Sequence, residues 1–330
     1  MLFLYTNLLT KEVKMKRSLV LILFLLLVIS LFIGFVKADI CECNDCSSCT
    51  DALNNASCTE VRLTANITNY SGTCIDNPSG FNNKVFDCQG NTIDGAGNYY
   101  GIYLYNKQNN TIKNCIITGF VYGIYLWYSS NNTLANNINS NNNLGIYLSS
   151  SSNNILINNT ANYNVNDHGI HLYNSSNNTL INNTANSNNK KGIYLQSSSN
   201  NTLINTIVNL NGQEGIYLSF SNNSILINNI ANSNSYGIYL YSSSNNILKD
   251  NVALNSTTSG IELYSSSNNI LTNNTASSNG DDGIRLSSSS NSNTLTNNTV
   301  NSNRNNGIAL GYSSNNNTLV NNTVSENFER

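Results

Sequence analysis

The chain has 330 residues, a formal net charge of −2 and 10% charged side chains, with 72 asparagines against a single proline, Pro78. Nucleic-acid binding needs clustered Lys and Arg to displace phosphate counterions, and from Gly101 onward basic and acidic residues number eight each, which excludes it. A hydrophobic content of 39% argues against charge-driven disorder, and with neither a Gly-X-Y period nor A/E/K/L/R enrichment the chain is not a collagen or a coiled coil.

Lys14, Lys16 and Arg17 precede an apolar run from Leu19 to Val36, interrupted by Ser30 and Gly34. This is the layout of a secretory signal, with Val36-Lys37-Ala38 ahead of a cleavage point before Asp39. The alternative is a retained anchor, because eighteen residues at ~1.5 Å each span about 27 Å of a ~30 Å hydrocarbon core. Either way the chain after Asp39 is expected to be extracytoplasmic, secreted or at the cell surface, and to touch the membrane only through residues 19–36. The expected organisation is a leader over 1–38, a Cys-rich N-terminal cap over 39–84 and a repeat domain over 85–330.

Eight cysteines, Cys41, Cys43, Cys46, Cys49, Cys58, Cys74, Cys88 and Cys115, all fall in the first 115 residues. An even number in an exported chain reads as disulfides. The run Cys41-x-Cys43-x-x-Cys46-x-x-Cys49 is also a spacing that thiolate metal sites use. Cys88 and Cys115 are one repeat length apart and are placed to bridge neighbouring coils.

The repeat itself is the strongest signal. G-I-x-L begins at Gly101, Gly123, Gly145, Gly169, Gly192, Gly215, Gly237, Gly260, Gly283 and Gly307, at spacings of 22 to 24 residues. Within it Ile and Leu fall on one side and the x residue on the other, the period of a strand. A second apolar position runs from Leu134 to Leu319, and a third, small one through Ala161, Ala185, Ala231, Ala276, Val300 and Val324. Each marks a further short strand. No repeat has helical apolar spacing, and Asn and Ser are poor inside helices. A short strand cannot bury its face alone, so successive copies must stack in register. The expected fold is all-β: a single-stranded parallel β-helix of ten or more coils, with three sheets around one interior. Asn tolerates the left-handed bends such coils need, and Asn in register can hydrogen-bond along the axis. Asn154, Asn178, Asn201, Asn223, Asn246 and Asn269 are expected to form one row. Asn159, Asn183, Asn229, Asn274, Asn298 and Asn322 form another, interrupted by Thr206.

The stretch D-C-Q-G-N-T-I-D-G, residues 87–95, followed by G-I-Y-L-Y-N-K-Q-N-N-T-I-K-N-C-I-I-T-G, residues 101–119, resembles the entry of the NosD-type "periplasmic copper-binding" β-helix domain. The units over 85–324 are similar to the right-handed parallel β-helix repeats of the pectate-lyase-like superfamily. The resemblance implies that fold, and it raises copper delivery as one function. The residues do not support carrying copper over, since copper prefers Cys, Met and His. The methionines are Met1 and Met15, and the histidines are His168 and His171. With Asp167 these two histidines are the candidate metal residues. Three apart in a strand, they are expected to point to opposite faces or to splay. No cofactor is expected.

Enzymes resembling this fold carry carboxylates and a cation on an outer sheet face. Here Glu262 and Arg285 should stack on adjacent coils near Asp281 and Asp282, which makes Glu262, Asp282 and Arg285 the catalytic candidates for a polysaccharide lyase or glycoside hydrolase. Lys191 should likewise face Glu214. The alternative is a cross-strand ion pair on a solvated sheet. Tyr103, Tyr125, Tyr147, Tyr194, Tyr217 and Tyr239 occupy six of the ten outward positions of G-I-x-L. Such a row suits contact with carbohydrate or with a protein partner, although Tyr also has high strand propensity. The leading expectation is therefore a non-catalytic surface scaffold that binds through the Tyr ladder. Sixteen N-x-S/T sequons, among them Asn131, Asn158, Asn182, Asn200, Asn273 and Asn321, are candidate glycan acceptors. Few charges guard the last coil, so end-to-end self-association is a further expectation.

Overall fold

A computed structural model describes residues 39–328. The expected leader over 1–38, with its apolar run 19–36, lies outside the described residues. No described helix is long and apolar enough to cross a membrane.

The described chain is a parallel β-helix of about 12 turns. Its strands stack into a 13-stranded first sheet, running from Ile40–Cys43 to Thr318–Val320, and an 11-stranded second sheet, running from Ile75–Asp76 to Ile308–Leu310. The second sheet is built from G-I-x-L. Its register is one repeat per step: Ile124 pairs with Ile146, Ile146 with Ile170 and Ile170 with Ile193. The Ile and Leu files of this sheet are fully buried from Ile102 to Leu286, as is the Leu134 to Leu295 file of the first sheet.

The third sheet is shorter than expected. It is continuous in four early strands and in the pair Thr299–Asn301 with Thr323–Ser325. Between them each coil contributes only an isolated bridge, such as Thr160 to Thr184 and Thr184 to Ile207. Bend spacing does not distinguish these coils: Asn158 and Tyr163, at φ 55° and 56°, flank four residues, as Asn297 and Ser302 do around the strand Thr299–Asn301.

These bends explain the asparagines. In the coil from Gly123, Tyr128, Asn131, Asn136 and Asn141 have φ of 48°, 59°, 56° and 58°. The left-handed region is costly for most side chains, and Asn is the non-glycine residue that visits it most readily. The two members of an Asn-Asn doublet divide the labour. The first takes the left-handed bend and is exposed; the second is buried and ties coil to coil. Asn154 Oδ1 accepts the Asn132 backbone N–H at 2.8 Å, and Asn178 Oδ1 accepts that of Asn154 at 2.8 Å. The second row behaves alike, with Thr206 standing in its line as expected and donating through its hydroxyl to Asn229 Oδ1 at 2.6 Å. In the first row one assignment fails. Asn223 takes the exposed bend at φ 58°, and Ser224 fills the ladder, bonding Asn201 N–H through Oγ at 3.2 Å. In N-N-S there the bend falls on the doublet's second member, so alignment with Leu226 rather than the doublet itself decides which residue enters the ladder.

The glycine of G-I-x-L is set by close approach between coils. A Cβ on Gly237 would lie 2.5 Å from Gly260 O and 2.6 Å from Ala253 Cβ.

All eight cysteines are paired: Cys41–Cys58, Cys43–Cys49, Cys46–Cys74 and, between neighbouring coils, Cys88–Cys115. This leaves no thiolate for the metal alternative at Cys41–Cys49. Paired cysteines at this density mark an oxidising, extracytoplasmic setting. The segment before Val85 already contributes strands to the same sheets. It also holds the single helix among the described residues, Cys46–Asn54, which the repeats gave no reason to expect. Asp45 caps it in a capping box with Ser48, and it packs Cys46, Cys49 and Leu53 over the first coil. At the other end Leu310, Leu319 and Val324, which continue the three inner files, are 47%, 43% and 44% exposed.

Candidate functional site

The outer face of the second sheet carries three parallel files of side chains. The middle file is the x position of G-I-x-L: Tyr103, Tyr125, Tyr147, His171, Tyr194, Tyr217, Tyr239, Glu262, Arg285 and Ala309. Its first seven members are rings stacked without a break. Successive centroids lie 5.3, 5.0, 5.1, 4.6, 5.0 and 5.2 Å apart. From Tyr125 to Tyr239 neighbouring planes differ by no more than 27°. The six expected tyrosines are thus brought together, and His171 joins them as a seventh ring. All are half-buried. Each ring's faces are turned to its neighbours, so the file presents ring edges and hydroxyls outward. Burial raises the phenol pKa values, that of Tyr217 to about 12, and that of Tyr125 upward with help from the surrounding tyrosines.

A second file, one residue before each glycine, includes Tyr100, Tyr122, His168, Lys191, Glu214, Tyr236 and Asp282. The third, two residues beyond the middle file, holds Tyr105, Trp127, Tyr173, Tyr241 and Tyr264 with small or amide residues between. The aromatic character of this third file escapes a reading centred on G-I-x-L, because it lies just past the motif. Its signal is plain once the coils are aligned: five of ten positions are aromatic.

His168 and His171 do not point to opposite faces. Their ring centroids are 5.2 Å apart on the same side of the sheet. The same pair of positions lies within one strand at Tyr100–Tyr105 and Tyr122–Trp127, where Tyr100 and Tyr103, and Tyr122 and Tyr125, are equally close at 5.5 and 5.3 Å, so alternation is interrupted at the glycine between them. His168 Nδ1 accepts the Lys191 backbone N–H at 3.2 Å. Its Nε2, which carries the proton of the neutral ring, faces Asp167 Oδ1 at 3.0 Å. Burial, then His171 and the two lysines, lower the His168 pKa to about 2; burial lowers that of His171 to about 4. Lys190 reaches Asp167 at 3.2 Å. Lys191 meets Glu214 at 3.3 Å, as expected, and lies over the rings of Tyr194 and Tyr217 at 5.2 and 5.1 Å.

Glu262 and Arg285 are register partners. Arg285 stands 4.0 Å from Glu262, 3.4 Å from Asp281 and 3.6 Å from Asp282. Glu262 is buried, and desolvation raises its carboxyl pKa against the pull of Arg285. The sequons Asn131, Asn158, Asn182, Asn200, Asn273 and Asn321 are exposed.

A family model described as the right-handed β-helix region matches residues 168–324, and one described as periplasmic copper-binding protein (NosD) matches residues 47–213, half of the chain. No curated protein matches. Among solved structures the chain is similar to the A-module of mannuronan C-5 epimerase AlgE6 from Azotobacter vinelandii, at 16% identity and a TM-score of 0.66, covering 81% of this chain and 80% of that one. It is also similar to the periplasmic alginate epimerase AlgG, at 15% identity and a TM-score of 0.57, covering 80% and 73%. The Dettilon tailspike protein aligns at 16% identity and a TM-score of 0.51, covering 83% and 64%. At these identities the likeness is one of fold.

The copper in the family description can be tested against the donors present. Every cysteine is in a disulfide, and no methionine lies among the described residues. The two imidazoles are hemmed in: His168 is engaged at both nitrogens, and His171 is sandwiched between Tyr147 and Tyr194. Two lysines beside them oppose a cation. These residues do not fit a copper ion, and no cluster of three or more His, Cys, Asp or Glu side chains placed to hold a metal occurs among the described residues. The matched half of the sequence and the coil architecture are nonetheless those of the family, and the chain belongs to the NosD family of right-handed parallel β-helix proteins.

Proposed function

We propose that this protein is a surface or secreted β-helix that binds carbohydrate along the outer face of its second sheet. The observation that carries this reading is the unbroken file of seven rings from Tyr103 to Tyr239, flanked by two further files of mixed aromatic and polar residues. A rigid row of ring edges and hydroxyls, repeating every coil, suits a ligand that is itself a linear repeat of hydroxylated rings. Tyrosine combines apolar area with a hydrogen-bonding tip at low entropic cost. Two of the structures sharing the fold are named for the polymer they act on, mannuronan and alginate, which supports the same substrate class. The test is a glycan array with the wild type and the Tyr194→Ala/Tyr217→Ala/Tyr239→Ala variant. Binding of at least one polysaccharide that is lost in the triple variant is expected. Equal binding by both overturns the Tyr face.

A second reading, cleavage of the bound polymer, rests on Glu262, whose burial keeps its carboxyl protonated to higher pH than usual beside Arg285. It requires release of new reducing or unsaturated ends from polysaccharide, and loss of that release in Glu262→Gln. Binding without cleavage is the preferred reading, because Asp281, Asp282 and Glu262 all converge on the one guanidinium as a structural ion-pair network.

A further inference from the structure

We infer that the corner formed by Tyr105, Trp127 and Tyr128 is a stacking site for a sugar ring of an extended polysaccharide; this rests on the carbohydrate reading above and gives it a place on the sheet. In the middle file the ring faces are spent on one another. At the corner they are not: Tyr105, Trp127 and Tyr128 are 42%, 38% and 54% exposed, more than any ring of the middle file. The three are mutual neighbours, with centroids 5.0, 5.5 and 6.1 Å apart. They continue the middle file, since Trp127 lies parallel to Tyr125 at 6.5 Å.

Tyr128 supplies an independent argument. It occupies a left-handed bend at φ 48°. Corresponding bends hold Asn or Ser in seven coils and aromatics also at Phe220 and Tyr312. A bulky aromatic is disfavoured in that conformation, and among the described residues Tyr128 is the one of the three that sits against two further rings, Tyr105 and Trp127. Half exposed, Tyr128 does not recover the cost by burial. Its surroundings also fit a hydroxylated, uncharged ring. Exposed Asn106, whose backbone N–H bonds the Trp127 carbonyl at 3.0 Å, and the half-buried Ser130 and Ser150 adjoin the corner, and the ammonium of nearby Lys107 is turned away onto the Ser79 carbonyl at 3.1 Å. An aromatic platform with an amide and hydroxyl rim matches the apolar faces and equatorial hydroxyls of a sugar.

Trp127 is the chain's one tryptophan, so its fluorescence reads the corner directly. The full-length protein is titrated with mannuronan and with hydroxyethyl cellulose, and binding is followed in parallel by retardation in gels cast with each polymer. Retardation accompanied by a shift in Trp127 emission is expected. The variant Trp127→Ser/Tyr128→Asn, which installs the residues that Ser149 and Asn106 supply in neighbouring coils, is expected to bind about tenfold more weakly or worse with an unlowered melting temperature. Tyr312→Ser, at the same bend position in a coil without a ring partner among the described residues, is expected to bind as wild type. Retardation with unchanged emission, or equal retardation of the corner variant, overturns the corner while leaving the carbohydrate reading standing. Absence of retardation and of any emission change on both polymers overturns both.

Discussion

Asn139 is the odd member of an otherwise apolar inner file. It lies between Ile117 and Ala161, fully buried, and neither side-chain atom has a hydrogen-bond partner. Leaving a buried amide unsatisfied costs about 1–3 kcal/mol, so Asn139→Val should raise stability by about that amount in a denaturant melt. An unchanged or lowered midpoint would mean that the amide has a partner. His171 makes a second residue-level case. Burial holds its folded pKa near 4 against 6.5 for a free imidazole. Below pH 6.5 the unfolded chain takes up a proton that the folded chain refuses until about pH 4. The stability His171 contributes is therefore complete above pH 6.5 and lost as pH falls toward 4. His171→Tyr places in the file the residue found in six other coils. Its melting temperature should fall less than that of wild type between pH 7 and pH 4.5; superimposable profiles would contradict the burial of a neutral ring.

Each coil is held to the next by backbone pairing and by Asn side chains acting as spacers of fixed length. Asn183 Nδ2 donates to Leu156 O at 2.8 Å, while its Oδ1 accepts the Asn159 backbone and side-chain N–H groups at 3.0 Å each. Asn183→Ala strands these groups in the interior and should cost about 1–3 kcal/mol. Asn183→Thr, which copies Thr206 of the next coil, should cost visibly less; equal losses would deny the ladder its role. The strands that could be read from the sequence were those whose side chains alternate strictly, such as Ile-Tyr-Leu in G-I-x-L, because one buried face enforces a period. Bends could not be resolved as finely. Which Asn of a doublet turns left-handed and which enters the ladder depends on backbone angles, so Asn223 and Ser224 exchange places relative to the expected row. His168 and His171 share a face because alternation is interrupted at the glycine of the motif, as it is for Tyr100 with Tyr103 and Tyr122 with Tyr125 inside single strands.

At the scale of the molecule the two ends of the solenoid differ. The first coil is covered by the Cys46–Asn54 helix and stapled by three disulfides, whereas the last described coil leaves members of all three inner files exposed. Stacking neighbours bury one another in repeat proteins, so stability is a sum of local contacts, and the outer face is free to carry function without disturbing the core. The core and the register were legible in the sequence because they repeat. The candidate site was legible only in its middle file; the aromatics at Tyr105, Trp127, Tyr241 and Tyr264 lie outside the motif and became a surface only when coils were stacked. Oxidative footprinting of the tyrosines and Trp127, with and without saturating mannuronan, tests the whole account most directly. It predicts protection of the second-sheet rings, from Tyr103 to Tyr239 and at Trp127, with Tyr163 and Tyr312 unchanged. Protection of Tyr163 and Tyr312 with the second-sheet rings left unprotected would contradict it.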